Sequence, residues 1–239
     1  MAGNTAIVLA AGSGKRMNTT VAKQYLMLKD KPVIWYALQA FEQSDIIDTV
    51  VLVVGTGEVE YCQKHIVEEY GFTKVITVIE GGAERYLSVW EALKWLYVKE
   101  SFTGEEYIFI HDGARPFVSE AIIADTYEAA KVYGACVAGM PVKDTIKIVD
   151  KEGFAIGTPN RKTVWAVQTP QVFERQLITT AYEELVNRLD ELLTQGIEIT
   201  DDAMVVETLT GKKVKLVKAS YENIKITTPE DMKLAESLL

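Results

Sequence analysis

The chain has 239 residues, of which 48% are hydrophobic and 25% charged, and a formal net charge of −9 at pH 7. That length suits one α/β domain with a sizeable core, and the negative balance excludes a bulk attraction for nucleic acid or for an anionic membrane face. Two cysteines, Cys62 and Cys136, and two histidines, His65 and His111, are too few for a zinc site or a disulfide framework. No run has the length of a membrane helix, and the start of the chain lacks the pattern of a secretory signal. A cytoplasmic protein is expected.

In chain order, Ala6-Ile7-Val8-Leu9 reads as a buried strand and residues 33–43 as a helix. Val50 to Val54 form a second strand, followed by a polar helix near 58–70, and Val75 to Ile79 form a third. Over 84–98, Leu87, Trp90, Leu93, Leu96 and Tyr97 recur at spacings of three and four, a one-faced helix. Tyr107 to Ile110 is a fourth strand, 119–133 a helix and Cys136 to Met140 a fifth strand. Continuous apolar strands separated by amphipathic helices predict an α/β protein with a mostly parallel sheet covered on both faces. Ligands bind such sheets beyond the C-terminal strand ends, so the residues following Leu9, Ile79, Ile110 and Met140 are expected to share one cleft.

The rhythm breaks near residue 143. Thr145 to Val149 alternates, Asp150 to Gly153 reads as a turn, and Phe154 to Gly157 extends again, a hairpin signal with no helix to cover it. Residues 143–163 are therefore expected to project as a β-arm that pairs with a second copy, or else to fold back on their own domain. Val214 to Val217 and Asn223 to Thr227 read as strands. The last helix is expected to start with Thr228 as N-cap, Pro229 at its first position and Asp231 three residues after the cap. Without linkers or repeats, residues 1–239 read as a single domain with the arm inside it.

The chemistry-bearing residues cluster at the expected strand ends. After the first strand, Gly12-Ser13-Gly14-Lys15-Arg16 could bring backbone N–H groups to a phosphate. It is neither a Walker loop, which would need Gly at Leu9 and Ser or Thr at Arg16, nor a dinucleotide fingerprint, which would need Gly at Met17. Arg16 and Lys23 lie close enough in sequence to face one triphosphate, and equally could be solvated cations. Gly81-Gly82, with Ser88 one helical turn beyond Arg85, could expose backbone groups to a base, or form a plain strand-to-helix turn. Asp112, ending an apolar strand, is a natural Mg²⁺ position, and Arg115 could meet a phosphate. The His111 side chain is expected to point away from that of Asp112, into packing.

The segments Leu9 to Met17 (LAAGSGKRM), Lys23-Gln24-Tyr25, Gly81 to Arg85 (GGAER), His111 to Pro116 (HDGARP), Gln168 to Gln171 (QTPQ) and Asn223 to Thr227 (NIKIT) follow one another in an order that resembles the 2-C-methyl-D-erythritol 4-phosphate cytidylyltransferases of non-mevalonate isoprenoid synthesis. The resemblance covers nearly the full chain, and Ile199 to Ala203 leans the same way. The ribitol-5-phosphate cytidylyltransferases have similar motifs. A non-catalytic CTP-binding sensor on the same fold is a third reading, against which Arg16, Lys23, Asp112 and Lys225 together argue.

The resemblance implies a doubly wound, Rossmann-like nucleotidyltransferase sheet, a homodimer clasped through the arm, and transfer of CMP from CTP to a small sugar-alcohol phosphate. It implies that Arg16, Lys23 and Lys225 are catalytic and that Ala10, Ala11, Gly12 and Gly14 line the nucleotide. Gly82, Ala83 and Ser88 would sit by cytosine and ribose, and Asp112 would bind Mg²⁺. Arg115, Thr145, Thr169 and Lys225 would sit by the acceptor phosphate, and Arg161 would reach a substrate in the partner subunit. The chain departs at Gly113, where many members have Ala, and at Ala83, where an acidic or polar residue is common; neither removes a charge that the chemistry needs.

Overall fold

A computed structural model describes residues 3–12, 22–99 and 106–239. The first apolar run forms β1 (Thr5–Ala10), and a 3-10 turn over Lys23–Tyr25 leads to the short pair β2 (Met27–Leu28) and β3 (Lys31–Pro32). There follow α1 (Val33–Gln43), β4 (Thr49–Val54) and α2 (Val59–Cys62), which continues as a π-helical stretch over Gln63–Glu68. Next come β5 (Val75–Glu80), α3 (Arg85–Lys99), β6 (Tyr107–Asp112), α4 (Glu120–Tyr133) and β7 (Ala135–Pro141). The hairpin is β8 (Ile148–Val149) and β9 (Ala155–Gly157), and the chain then returns through β10 (Trp165–Glu174), α5 (Arg175–Thr194), α6 (Asp202–Thr210), β11 (Lys215–Lys218) and α7 (Pro229–Leu238).

The central sheet has seven strands in the order β11-β7-β10-β6-β1-β4-β5. All pairs are parallel except those of β10, which runs antiparallel to both β6 and β7. Burial on both faces explains the apolar runs: in β4, Val50, Leu52 and Val54 point into one core and Val51 and Val53 into the other. One face is covered by Ile34, Leu38 and Phe41 of α1 and Ile122 and Ile123 of α4. The other is covered by Leu93 and Leu96 of α3, Tyr182 and Leu185 of α5, and Val205 and Val206 of α6. β1 lies between β4 and β6, so the connections diverge there, and a crevice opens at the C-terminal ends of β1 and β6. Among the described residues, no helix is long and apolar enough to cross a membrane.

Three expectations are corrected. Asn223 to Thr227 is not a strand: Asn223 is fully buried and gives its side-chain amide to Gln168 Oε1 (3.1 Å) and the Thr169 carbonyl (2.9 Å), so side chains tie this strap where a ladder was expected. β10, with α5 and α6 behind it, was not anticipated. Because β10 stands between β6 and β7, the residues after Met140 do not line the crevice. The hairpin and the last helix form as read, including the Thr228–Asp231 capping box. On the hairpin, Ile148, Val149, Phe154 and Ile156 are exposed by 53%, 53%, 68% and 67%, so nothing among the described residues covers them.

Candidate active site

The crevice is a cleft of about 440 Å³. Ala10, Ala11 and Gly12 line it from the end of β1, and Gly82, Ala83 and Ser88 from the β5–α3 connection. Lys23, Asp112 and Lys225 line the same space. Arg16 and Gly14 lie outside the described residues. The glycine pair is demanded by packing: a Cβ on Gly81 would come 2.6 Å from Ser88 Oγ and 2.7 Å from the Ala11 Cβ, and one on Gly82 would come 2.4 Å from the Leu87 Cβ. Ser88, itself buried, donates to the Gly82 and Glu84 carbonyls.

The turn carrying Lys23 is anchored on both of its next residues. Gln24 is buried and gives its amide to the Ala10 carbonyl. Tyr25 donates to Glu58 Oε2 (2.8 Å), which also accepts from the Gly55 N–H (3.0 Å). Lys23 is thus set opposite β6 by contacts to β1 and to the loop after β4.

Asp112 is the electrostatic centre. Lys225 Nζ is 2.8 Å from its Oδ2, Arg115 Nε is 3.7 Å from the same oxygen, and Arg85 Nε is 3.3 Å from Oδ1. Burial alone would push this carboxyl up, but Arg85, Lys225 and Arg115 outweigh it and hold it well below the usual carboxylate range. Arg85 is in turn gripped from behind: Nη1 and Nη2 lie 2.9 and 2.7 Å from the two oxygens of Asp202, and Tyr182 donates to Asp202 Oδ1 at 2.6 Å. Burial would lower the Arg85 pKa, yet the two aspartates keep it raised, so this guanidinium is always charged. Arg85 and Asp202 were not anticipated as parts of the site. The Thr200-Asp201-Asp202 run does carry a signal, since Asp201 caps α6 by accepting from the Met204 N–H at 2.9 Å.

The wall behind Asp112 is polar and closed. His111 is fully buried, its ring edge-on to Phe41 as packing requires, but both ring nitrogens are also engaged. Nε2 is 3.1 Å from the Arg115 carbonyl and Nδ1 is 2.9 Å from Thr169 Oγ1, which accepts from the Asp112 N–H at 3.1 Å. Burial pushes the imidazole down to about 4, so it is neutral at neutral pH. Arg115 donates from Nη1 to the Asn223 carbonyl (2.8 Å), and Ile226 N–H to the Ala114 carbonyl (2.8 Å), which fixes the strap that delivers Lys225. Thr169 is therefore buried in this wall and Arg115 half-buried in it, and neither lines the cleft. Thr145 and Arg161 are exposed near the arm and do not line it either; Arg161 donates to the Lys143 carbonyl at 2.9 Å.

The family model described as IspD, 2-C-methyl-D-erythritol 4-phosphate cytidylyltransferase, matches residues 4–239. The chain belongs to the 2-C-methyl-D-erythritol 4-phosphate cytidylyltransferase (IspD) family. It is 48% identical over 232 residues to the family's protein from Lachnospira eligens, covering 97% of each chain. It is 46% identical over 235 residues to the one from Lachnoclostridium phytofermentans, covering 98% of this chain and 95% of that one. The crystal structure of the 4-diphosphocytidyl-2C-methyl-D-erythritol synthase of Anaerococcus prevotii matches with a TM-score of 0.80 at 33% identity, covering 99% of this chain and 96% of that one.

Within this IspD-family cleft, a metal would have to share Asp112 with three cations. Among the described residues there is no cluster of three or more His, Cys, Asp or Glu side chains able to cage an ion. A lone carboxylate fits Mg²⁺ that arrives on nucleotide phosphates, since that ion takes one or two protein carboxylates and keeps its other positions for water and substrate. At Gly113 a Cβ would meet the Leu9 carbonyl at 3.0 Å and Val8 Cγ1 at 3.4 Å, so the β1–β6 edge of this family member is drawn tight around the glycine.

Proposed function

We propose that this chain transfers CMP from CTP to 2-C-methyl-D-erythritol 4-phosphate, giving 4-diphosphocytidyl-2-C-methyl-D-erythritol and pyrophosphate in isoprenoid precursor synthesis. The observation that carries this is the gathering of Lys23, Asp112 and Lys225 in one switch-point cleft of an IspD-family chain. An acceptor-phosphate oxygen attacks the α-phosphorus of CTP, the bond to the α,β-bridging oxygen breaks, and pyrophosphate leaves. A phosphate monoester has a second pKa of about 6, so the nucleophile is already anionic and needs no general base. The barrier is the approach of one anion to another.

Lys23 and Arg16 hold the triphosphate and take up the charge passing to pyrophosphate, while Lys225 draws the acceptor phosphate into line. Ala10, Ala11, Gly12 and Gly14 border the phosphates; Gly82, Ala83 and Ser88 border base and ribose. Asp112 would hold the nucleotide's Mg²⁺, which when bound offsets phosphate charge. Arg115 and Thr169 keep Asp112 and Lys225 at the acceptor's position. The test is a pyrophosphate-release assay crossing four nucleoside triphosphates with methylerythritol 4-phosphate and ribitol 5-phosphate. Release with CTP and methylerythritol 4-phosphate alone is expected, and preference for ribitol 5-phosphate would overturn the acceptor. In the same assay Lys23→Ala is expected to lower kcat by about 10²-fold.

The exposed apolar arm supports a homodimer, and Arg161, at its base and away from its own cleft, supports a role at the partner's acceptor site. Arg161→Ala is expected to raise the Michaelis constant for the sugar phosphate by about tenfold, the loss of one charge-assisted bond, with that for CTP unmoved. An effect confined to CTP would defeat the cross-subunit role, and sedimentation of a Phe154→Asp, Ile156→Asp variant as a monomer would tie it to the arm. A cytoplasmic enzyme is the matching location.

A further inference from the structure

His111 lies next to the proposed metal carboxylate yet plays no part in the chemistry above. Its surroundings dictate how its protons are arranged. The Arg115 carbonyl can only accept, so Nε2, 3.1 Å away, carries hydrogen. Thr169 is buried, and among the described residues its hydroxyl has no acceptor in reach other than His111 Nδ1, so Nδ1 presents its lone pair to that hydroxyl. Nδ1 therefore accepts the one proton that the Thr169 hydroxyl has to give, across 2.9 Å. Thr169 Oγ1 is left with lone pairs, one of which takes the Asp112 N–H at 3.1 Å. The result is a chain with one direction, from Asp112 N–H through Thr169 Oγ–H and His111 to the Arg115 carbonyl. It joins both ends of the turn after β6 to β10, and the Arg115 N–H closes the turn on the Asp112 carbonyl at 2.9 Å.

We propose that His111 is a positioning residue of the transfer, holding the Asp112 turn through a proton-committed Thr169. This rests on the reading of Asp112 given above and alters one part of the family pattern. A threonine hydroxyl whose proton is spent on a buried imidazole has none left for a substrate phosphate. Thr169 then acts through Asp112.

The chain has only two histidines, so nitrogen NMR of the ¹⁵N-histidine-labelled full-length protein reads His111 almost alone, with His65→Asn assigning the other pair of signals. The expected result is a neutral ring with Nε2 protonated and Nδ1 accepting a hydrogen bond, and a shift of the Nδ1 signal in Thr169→Val. An Nδ1–H tautomer, or a doubly protonated ring, overturns the proposal without any activity measurement. In steady state, H111F keeps the ring against Phe41 and loses both bonds. It is expected to lower kcat about 10- to 10²-fold, the usual loss for a partner of a metal-holding group, with both Michaelis constants within about threefold of wild type.

T169V is expected to match it, T169S to stay near wild type, and the H111F, T169V double variant to lose no more than either single one. If Thr169 served the phosphate on its own, T169V would raise the Michaelis constant of the acceptor, and the two losses would multiply; either outcome sinks the proposal. Should H111F not fold, H111Q, which can still donate towards the Arg115 carbonyl, takes its place in the cycle. Absence of turnover in the wild type with CTP and methylerythritol 4-phosphate would strike the proposed function and leave the tautomer result standing.

Discussion

Asp112→Asn is expected to lower kcat by about 10²- to 10³-fold, the scale of losing a preorganised charge at a developing transition state, while CTP still binds. The asymmetry follows from where the carboxylate sits. In the free protein Asp112 is the counter-ion of Arg85, Arg115 and Lys225. Asn keeps the shape and the backbone N–H to Thr169 but removes the charge. Cations that Asp112 had occupied are then free to meet phosphate, and at about 4 Å and an effective dielectric of 20 a unit pair is worth about 4 kcal/mol before desolvation. Without magnesium, calorimetry is therefore expected to find CTP bound at least as tightly by the variant as by the wild type. With magnesium the gain in affinity that the wild type shows is expected to vanish. Turnover near wild type would remove Asp112 from the metal role, and weaker CTP binding without magnesium would contradict the counter-ion argument. The same substitution tests the fold only mildly, because the three cations retain other partners or solvent.

Much of this architecture could be read in the letters because of how the sheet is covered. A parallel strand with helices on both faces has little room for polar side chains, so Val50 to Val54 appears as an unbroken apolar run with all five residues buried. β10 escaped because it breaks that rule: Gln168, Thr169 and Gln171 are buried polar residues. They look like a loop until their partners are known, namely Asn223 for Gln168, His111 for Thr169, and the Ala203 N–H for Gln171. Asn223 to Thr227 failed in the opposite sense, since alternation promised a ladder where side chains do the tying. His111 was correctly assigned to the packing side by strand alternation, but its hydrogen-bonding partner lies 58 residues away on an unread strand. The cleft was legible through glycines and cations at strand ends. Arg85 was not, because its meaning comes from Asp202, 117 residues distant.

That long-range pair underlies the remaining prediction: Asp202→Ala is expected to lower the thermal midpoint by about 6–20 °C. Asp202 is fully buried at the first position of α6, where the helix N-terminus favours an anion. It accepts from both terminal nitrogens of Arg85 and from the Tyr182 hydroxyl. Removing one member of a buried pair costs about 3–5 kcal/mol, because the other is left uncompensated, and at this chain length 1 kcal/mol moves the midpoint by about 2–4 °C. Asp202→Asn, which keeps volume and one acceptor, is expected to fall between Ala and wild type. Arg85→Met leaves Asp202 buried with only the tyrosine, so the double variant is expected to be less destabilised than the two single losses summed, by about 1–3 kcal/mol of coupling. Strict additivity, measured by denaturant titration, would mean that the pair contributes nothing as a pair. The functional consequence follows from the third nitrogen: Arg85 Nε faces Asp112 at 3.3 Å, and only a guanidinium anchored at its far end can keep that edge fixed. Asp202→Ala is thus expected to raise the Michaelis constant for CTP even at temperatures where the variant is fully folded, which a purely structural aspartate would not do.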